Sequence, residues 1–526
     1  MAKQKKFDYD AIIIGSGIGG LITGAYLAEE GVKVLICEQH QQPGGCFTSF
    51  KRKGYTFDGG IQGCEDGGVF LQLFRKFGLL DRLELKKSNF AIASPDFFLR
   101  ADSVADVGAF YRKLKNIYPH ESDGIDRITR DAEACCNFMF AFQKMPNAMF
   151  TPWKDALLGF PSWYRAHSGA VKYAPEFFRN LTTIMEDYFK QHVSDPDLYR
   201  FLCQLSYSGS PASFGLLFLT FLMDYYHPMG GVQAIPDALA QFVTEHGGQM
   251  KYRTLVEEII MEGDKAQGIR TDAGDIYRAP FIISNGDARR TYLKMLPPDA
   301  VPESYKQELR QSVVSESFFS LFLGVDIPPE EIPTRGCSHL LFFPDYKGVD
   351  SEAYKKSGDW DLDVYTRSPI DINVNSIHDP SLAPKGKSAI VIQTGAIAEF
   401  ADNWGTKNGK RTKQYRALKE KVADRLIATA ENVIPGLSKR IEVKLSGTPY
   451  TFERYTLNSR GASAGWTFHP QKAMNSGLKF FTGFNPPVKN LFQVGHWAMS
   501  PGGAPSGAIT GRIVSEIVKR RLKWGI

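Results

Sequence analysis

Residues 8–38 read DYDAIIIGSGIGGLITGAYLAEEGVKVLICE, and this stretch decides the fold. Ala11-Ile12-Ile13-Ile14 is a short apolar run suited to a buried parallel strand. Gly15, Gly17 and Gly20 then form G-x-G-x-x-G, with Gly19 inside the motif. Residues 21–30 read as a helix stopped by Gly31. Residues 32–36 read as a second apolar strand, and Glu38 closes it, 18 residues after the third glycine. Each part has a separate physical task. The first glycine makes the tight turn, the second lets backbone approach a pyrophosphate, and the third lets helix and strand pack closely, while the helix N-terminus faces the phosphates. An acid at position 38 can accept hydrogen bonds from both ribose hydroxyls. The ordered set of strand, glycines, helix, strand and acid predicts a dinucleotide-binding unit, which the glycine motif alone would not do.

A chain of 526 residues is too long for one simple core, so two or more domains are expected, interleaved in sequence. The net charge of +6 is mildly basic and is not a nucleic-acid footprint; there is no dense Lys/Arg helix and no RNA-binding motif. No signal peptide is read at the start, where Asp8 and Asp10 precede only four apolar residues before Gly15. The most apolar window, residues 214–223, is about half of what a spanning helix requires. The expectation is a cytoplasmic chain with a peripheral membrane contact. The seven cysteines are scattered, odd in number and without metal-ligand spacing, which predicts reduced, mostly buried thiols and no metal.

After Glu38, Pro43-Gly44-Gly45 brings a second glycine pair back to the same place. Residues 54–63 (GYTFDGGIQG) read as a short strand and a Gly-rich turn. From about residue 89 the pattern becomes helical and aromatic, through Phe138, Phe177, Tyr188 and residues 214–226 (FGLLFLTFLMDYY). Most of these rings read as helical core and some as the wall of a long apolar cavity. Residues 145–166 carry Trp153, Leu157, Leu158, Phe160, Trp163 and Tyr164 beside Lys154 and Arg165, the pattern of an interfacial segment. A helix over 234–246, strands at 250–252, 256–261, 266–271 and 275–278, and a buried strand over 280–285 resume the dinucleotide fold. Residues 289–310 read as helical, 414–434 as a long helix and 448–465 as a loop. Strand-like runs at 318–325, 339–343, 388–393 and 441–446 lie between. A strand at 490–495 and a helix over 504–520 close the chain, and give a second helix N-terminus able to face the same ligand. The fold class expected is α/β: a Rossmann-like dinucleotide domain from residues 1–88, 230–296 and 485–526, interleaved with a substrate domain from 89–229 and 297–484, of α+β type with a mixed sheet and a helical cap.

These motifs carry a family resemblance. The chain resembles the flavin-dependent amine oxidase superfamily and, more narrowly, the group of phytoene desaturases, carotenoid isomerases and retinol saturases. The likeness runs through residues 10–45, GGVQAIPDALAQFVTEHGG, FIISNGDARRTYLKML, TPYTFERYTLNSRGASAG and the terminal LFQVGHWAMSPGGAPSGAITGR. It implies non-covalent FAD. Gly15, Gly17, Gly19 and Gly20 would face the pyrophosphate, Glu38 with Gln39 the adenosine ribose, and Gly44 and Gly45 the pyrophosphate and ribityl chain. Val256 would meet the adenine, and Gly495, Ala508 and Ile509 the ribityl chain and pyrimidine edge. Two positions depart from the pattern: His496, where many members carry an acid, and Gly59-Gly60-Ile61-Gln62, where desaturases commonly carry Gly-Pro.

The resemblance implies an oxidoreductase acting on carbon–carbon bonds of an apolar polyene isoprenoid, with hydride moving to or from flavin N5 in desaturation, saturation or cis–trans isomerisation. The electron partner stays open. Candidate acids or bases are His496, His227 and Glu453, with His469 and Tyr455 behind them; His496 is foremost because it follows Gly495. Arg454 and Arg460 are candidates for an anionic substrate end. Two other readings remain at this level: a flavin amine oxidase, which would require an aromatic cage for the amine, and a non-catalytic prenyl-lipid carrier of the same fold, like the Rab escort relatives.

Overall fold

The structure, a computed structural model, describes residues 7–146, 149–150, 153–349, 362–469, 472 and 487–524. The expected boundary at 484–485 lies outside the described residues, as do Trp360 and parts of the 145–166 segment. Ala11–Ile14 is the centre of a parallel five-stranded sheet in the order Gln249–Lys251, Val34–Cys37, Ala11–Ile14, Phe281–Ser284, Leu491–Gln493. Ile13 pairs with Ile36 on one side and Ile283 on the other. All three are fully buried, as expected for a sheet covered on both faces.

The helix Ile18–Glu29 follows the glycine motif, and residues 18–28 are all buried. A helix apolar all round must be enclosed. This one is enclosed by the sheet, by Ala234–Glu245 and by the terminal helix Ala504–Trp524. The contact with the terminal helix depends on small residues, since a Cβ on Gly511 would stand 2.8 Å from the carbonyl oxygen of Gly19. A three-stranded antiparallel sheet, Val256–Glu262, Lys265–Thr271 and Ile276–Arg278, flanks this layer with turns where the sequence predicts them.

A second sheet of seven strands runs Ile441–Gly447, Ser317–Val325, Ser388–Ala396, Ile370–Asn373, His339–Phe342, Phe90–Ser94, Phe97–Arg100. It is antiparallel except where His339–Phe342 meets Phe90–Ser94. One face packs on Lys413–Ala430 through Leu426, Ile427 and Trp404. A helical layer built on Ala105–Ile117 and Ser122–Gln143 has a core of its own around Ile128, Phe189 and Phe201.

Two local expectations are corrected. The 448–465 loop contains a helix, Pro449–Thr456, started by a Thr448 cap and a proline in its first turn. The single helical run over 289–310 is two helices, Ala288–Lys294 and Glu303–Gln311, because Pro297-Pro298 can continue neither. The apolar window 214–223 falls in two short helices, Ala212–Leu216 and Phe218–Met223.

Candidate active site

The C-terminal ends of the parallel strands open on one cavity of about 1670 Å³, which continues beneath the helical layer. A usual small-molecule site holds roughly 300–1,000 Å³, so there is room for a large cofactor and a substrate together. Both glycine-opened helix N-termini reach its wall, at Gly17–Gly19 and at Gly503–Gly507, so two positive dipole ends face one space.

Three glycines of the cradle leave no room for side chains. A Cβ on Gly17 would stand 2.6 Å from Asn285 Nδ2, one on Gly19 2.7 Å from the backbone nitrogen of Gly495, and one on Gly495 2.5 Å from Asn285 Oδ1. Asn285, at the end of Phe281–Ser284, is therefore the residue around which the cradle closes; its N–H donates to the Ile14 carbonyl at 2.8 Å. Sequence reasoning assigned it no role. The available signal was a buried strand ending in Asn-Gly-Asp. Gly44 pairs with Gly17 as an isolated parallel bridge, and Gly45 takes a positive φ of 61°.

Glu38 lies on the wall, and its Oε2 accepts from the N–H (2.9 Å) and hydroxyl (2.7 Å) of Ser16 while Oε1 accepts from the His40 N–H (2.9 Å). Oε2 is thereby filled, while Oε1 keeps a further lone pair for a ribose hydroxyl. Gln39, Gly44, Gly45, Val256, Gly495 and Ile509 line the cavity too, and Gln39 Nε2 donates to the Tyr455 carbonyl at 3.0 Å. Gly20 and Ala508 do not: a Cβ on Gly20 would meet the Gly15 carbonyl at 2.3 Å, and Ala508 is fully buried between its cavity-lining neighbours Gly507 and Ile509.

The three proposed acid–base residues part company. His496 lines the cavity, and burial lowers its pKa to about 4, so its imidazole is neutral near pH 7. His227 is inside the fold, with Nε2 2.8 Å from Asp58 Oδ2, and is not part of the wall. Glu453 is on the exposed side of Pro449–Thr456 and is likewise absent from the wall. His469, Arg454 and Arg460 also lie off the wall, and Arg460 pairs with Glu399. Among the polar wall residues to which sequence reasoning gave no role are Gln62, Glu65, Asp371 and Gln393, which stand on strands and turns distant in sequence. Cys46 is on the wall as a neutral thiol, its pKa pushed up to about 11 by burial. Beyond the cradle the cavity turns apolar, with Met139, Phe177, Leu181, Phe214, Phe218 and Leu341 on its walls.

A Rossmann-type sheet, a cradle closed to side chains at Gly17, Gly19 and Gly495, and a second domain roofing the same cavity define a dinucleotide-dependent oxidoreductase of the two-domain flavoprotein class. Residues 18–518 match the family described as flavin containing amine oxidoreductase, and the chain belongs to that family. Its cofactor is FAD. A prolycopene isomerase (chloroplastic) of Daucus carota is 27% identical over 86% of this chain and 71% of its own length. An all-trans-retinol 13,14-reductase of Danio rerio is 26% identical over 97% and 86%, and a zeta-carotene-forming phytoene desaturase of Myxococcus xanthus is 26% identical over 98% and 94%. Among solved structures, an oxidoreductase from Methanosarcina mazei superposes with a TM-score of 0.59 at 17% identity over 96% of this chain and all of that one. Putrescine oxidase bound to putrescine gives 0.60 at 12% over 98% and 99%; these two likenesses concern the fold.

Proposed function

We propose that this flavoenzyme moves a hydride between FAD and a carbon–carbon bond of a polyene isoprenoid, as a desaturase, a saturase or, with the flavin reduced, a cis–trans isomerase. The observation that carries the reading is the single cavity, polar and glycine-lined at one end and aromatic and aliphatic at the other. Three relatives whose names specify carotenoid or retinoid chemistry support it. Gly15, Gly17, Gly19, Gly44 and Gly45 hold the non-covalent cofactor by backbone, Glu38 and Gln39 its ribose end, Val256 the adenine, and Gly495 and Ile509 the far end. FAD supplies the hydride-transferring centre. The apolar arm orients a hydrocarbon chain and keeps water away from it. His496, neutral and on the wall, is the acid–base candidate of the three.

A lipid surface as the source of such a substrate is supported by the helix Trp153–Val171. Ala156 is its one buried side chain; Trp153 is 65%, Leu157 64% and Leu158 75% exposed. Lys154 and Lys172 sit over the rings of Trp153 and Tyr173, a mixture of apolar crest and cationic flank suited to anionic headgroups. The crest continues through exposed Phe178, whose ring is 5.4 Å from that of the cavity residue Phe177. No helix among the described residues is long and apolar enough to cross a membrane.

The test is anaerobic mixing of the FAD-loaded protein with carotenes, retinol and primary amines. Bleaching of the flavin by a polyene indicates desaturation. Reoxidation of reduced flavin by a polyene indicates saturation, and isomer formation with flavin kept reduced indicates isomerisation. Bleaching by amines, with polyenes inert in every arm, would replace this reading by amine oxidation.

A further inference from the structure

The cavity wall carries a polar patch that a pure hydrocarbon would leave without partners. Gln62 is a wall residue only 3% exposed; its Nε2 donates to the carbonyls of Asp58 (3.0 Å) and Gly60 (3.1 Å), while its Oε1 is buried with no partner. Three residues on, Glu65 lines the cavity, and no hydrogen bond to its carboxyl is found among the described residues. Glu65 stands directly opposite Tyr225 in an antiparallel pair, so both side chains share a face, and Tyr225 lines the same wall. Tyr225 is within electrostatic reach of Glu65 on one side and Asp371 on the other.

Asp371 belongs to the floor. Across the seven-stranded sheet, Ser320, Gln393, Asp371 and Leu341 are register partners at one level. Gln393 Nε2 is committed to Ser320 Oγ (2.8 Å) and the Gly60 carbonyl (3.2 Å). Asp371 Oδ2 accepts from Asn373 Nδ2 at 3.1 Å, and its Oδ1 is buried without a partner. The neighbouring Ile370 and Ile372 point into the opposite core, so the polar residues of this strand are those turned toward the cavity. Among the described residues no cation is a cause of the shift at either carboxyl. The charges beside Glu65 are Asp66 and Asp224, and burial together with these pushes Glu65 up to about 8, while burial pushes Asp371 up to about 6.

The unsatisfied atoms at Gln62 and Asp371 are acceptors, and a buried acceptor without a donor is unfavourable. A ligand carboxylate would be repelled by the acidic neighbours. We propose that Gln62, Glu65, Tyr225 and Asp371 form a recognition site for a hydrogen-bond donor on the substrate, a hydroxyl carried by the polyene, which selects an alcohol over a hydrocarbon or an ether.

The proposal rests on the polyene reading, and the experiment separates the two. Equilibrium binding to the FAD-loaded protein is measured by tryptophan quenching with all-trans-retinol, its methyl ether, a hydrocarbon polyene of similar length and retinylamine. Retinol is expected to bind about 10-fold or more tightly than the ether, since a site built for a donor discriminates against its absence. Glu65→Met and Tyr225→Phe should each bring that ratio to within about 2-fold while flavin content stays at the wild-type level. Equal binding of alcohol, ether and hydrocarbon would overturn the proposal and leave the polyene reading intact. Failure of all polyenes, with retinylamine alone bound, would overturn both. Loss of FAD in both variants would assign the patch to the cofactor and overturn the proposal.

Discussion

At the residue scale the cofactor cradle is set by steric exclusion. Gly19 admits no side chain, because a methyl there would meet the backbone of Gly495, which cannot rotate away as a side chain can. Relieving such a contact costs about 1–3 kcal/mol. Gly19→Ala should therefore lower FAD affinity by about 5- to 150-fold with the fold retained, measured as flavin-to-protein absorbance after dialysis. A variant that keeps full flavin content would contradict the cradle. Glu38 shows the other kind of constraint. The ribose-facing role proposed for it rests on its spacing, but the fixing of both its oxygens by Ser16 and His40 was not legible there, because those contacts exist only once the turn has closed.

At the element scale two helices are informative. Pro449–Thr456 begins at Thr448, whose buried hydroxyl accepts from the Thr451 N–H and lies 3.0 Å from Tyr415 Oη. Thr448→Ala removes a cap and a buried partner, and should destabilise the protein by about 1–2 kcal/mol in denaturant unfolding. Sequence reading took this segment for a loop because eight residues with one proline and two glycines nearby give too short a periodicity to register. Trp153–Val171 behaves oppositely. Its aromatic and leucine content was plain in the sequence, and the structure leaves that content outside. Replacing Leu157 and Leu158 together by Ser should change stability by no more than about 0.5 kcal/mol, while abolishing flotation with anionic vesicles. Retained flotation would remove the lipid-surface proposal.

At the scale of the whole molecule, buried ionisable groups shape stability against pH. In the fold the pKa of Glu65 rises from 4.5 to about 8, so its contribution is complete below about 4.5 and is lost as pH rises through about 8. Burial lowers His496 from 6.5 to about 4 and, with the nearby His227 and His378 adding to the effect, lowers His339 from 6.5 to about 3. Their contribution is present above about 6.5 and is lost as pH falls through those lower values. Thermal midpoints should thus decline on both sides of about 6.5, and Glu65→Gln should flatten the decline between about 6.5 and 8 while steepening the rise between about 4.5 and 6.5. An unchanged alkaline slope in that variant would show that Glu65 is solvated in the folded protein.

What the sequence determined by itself was whatever depends on near neighbours along the chain. The strand–glycine–helix–strand–acid unit, the later strands of the parallel sheet and the second helix N-terminus all follow from local pattern, and they carried the fold class and the cofactor. Tertiary structure alone decided which residues share the cavity. Asn285 becomes the centre of the cradle because parallel pairing brings it beside Gly15 and Gly495. His227 drops out because Asp58, 169 residues away, claims its imidazole. Gln62, Glu65, Tyr225 and Asp371 meet because strands from different parts of the chain end at one wall. Hydrogen-bond closure and burial are properties of that convergence, and no periodicity along a single segment encodes them.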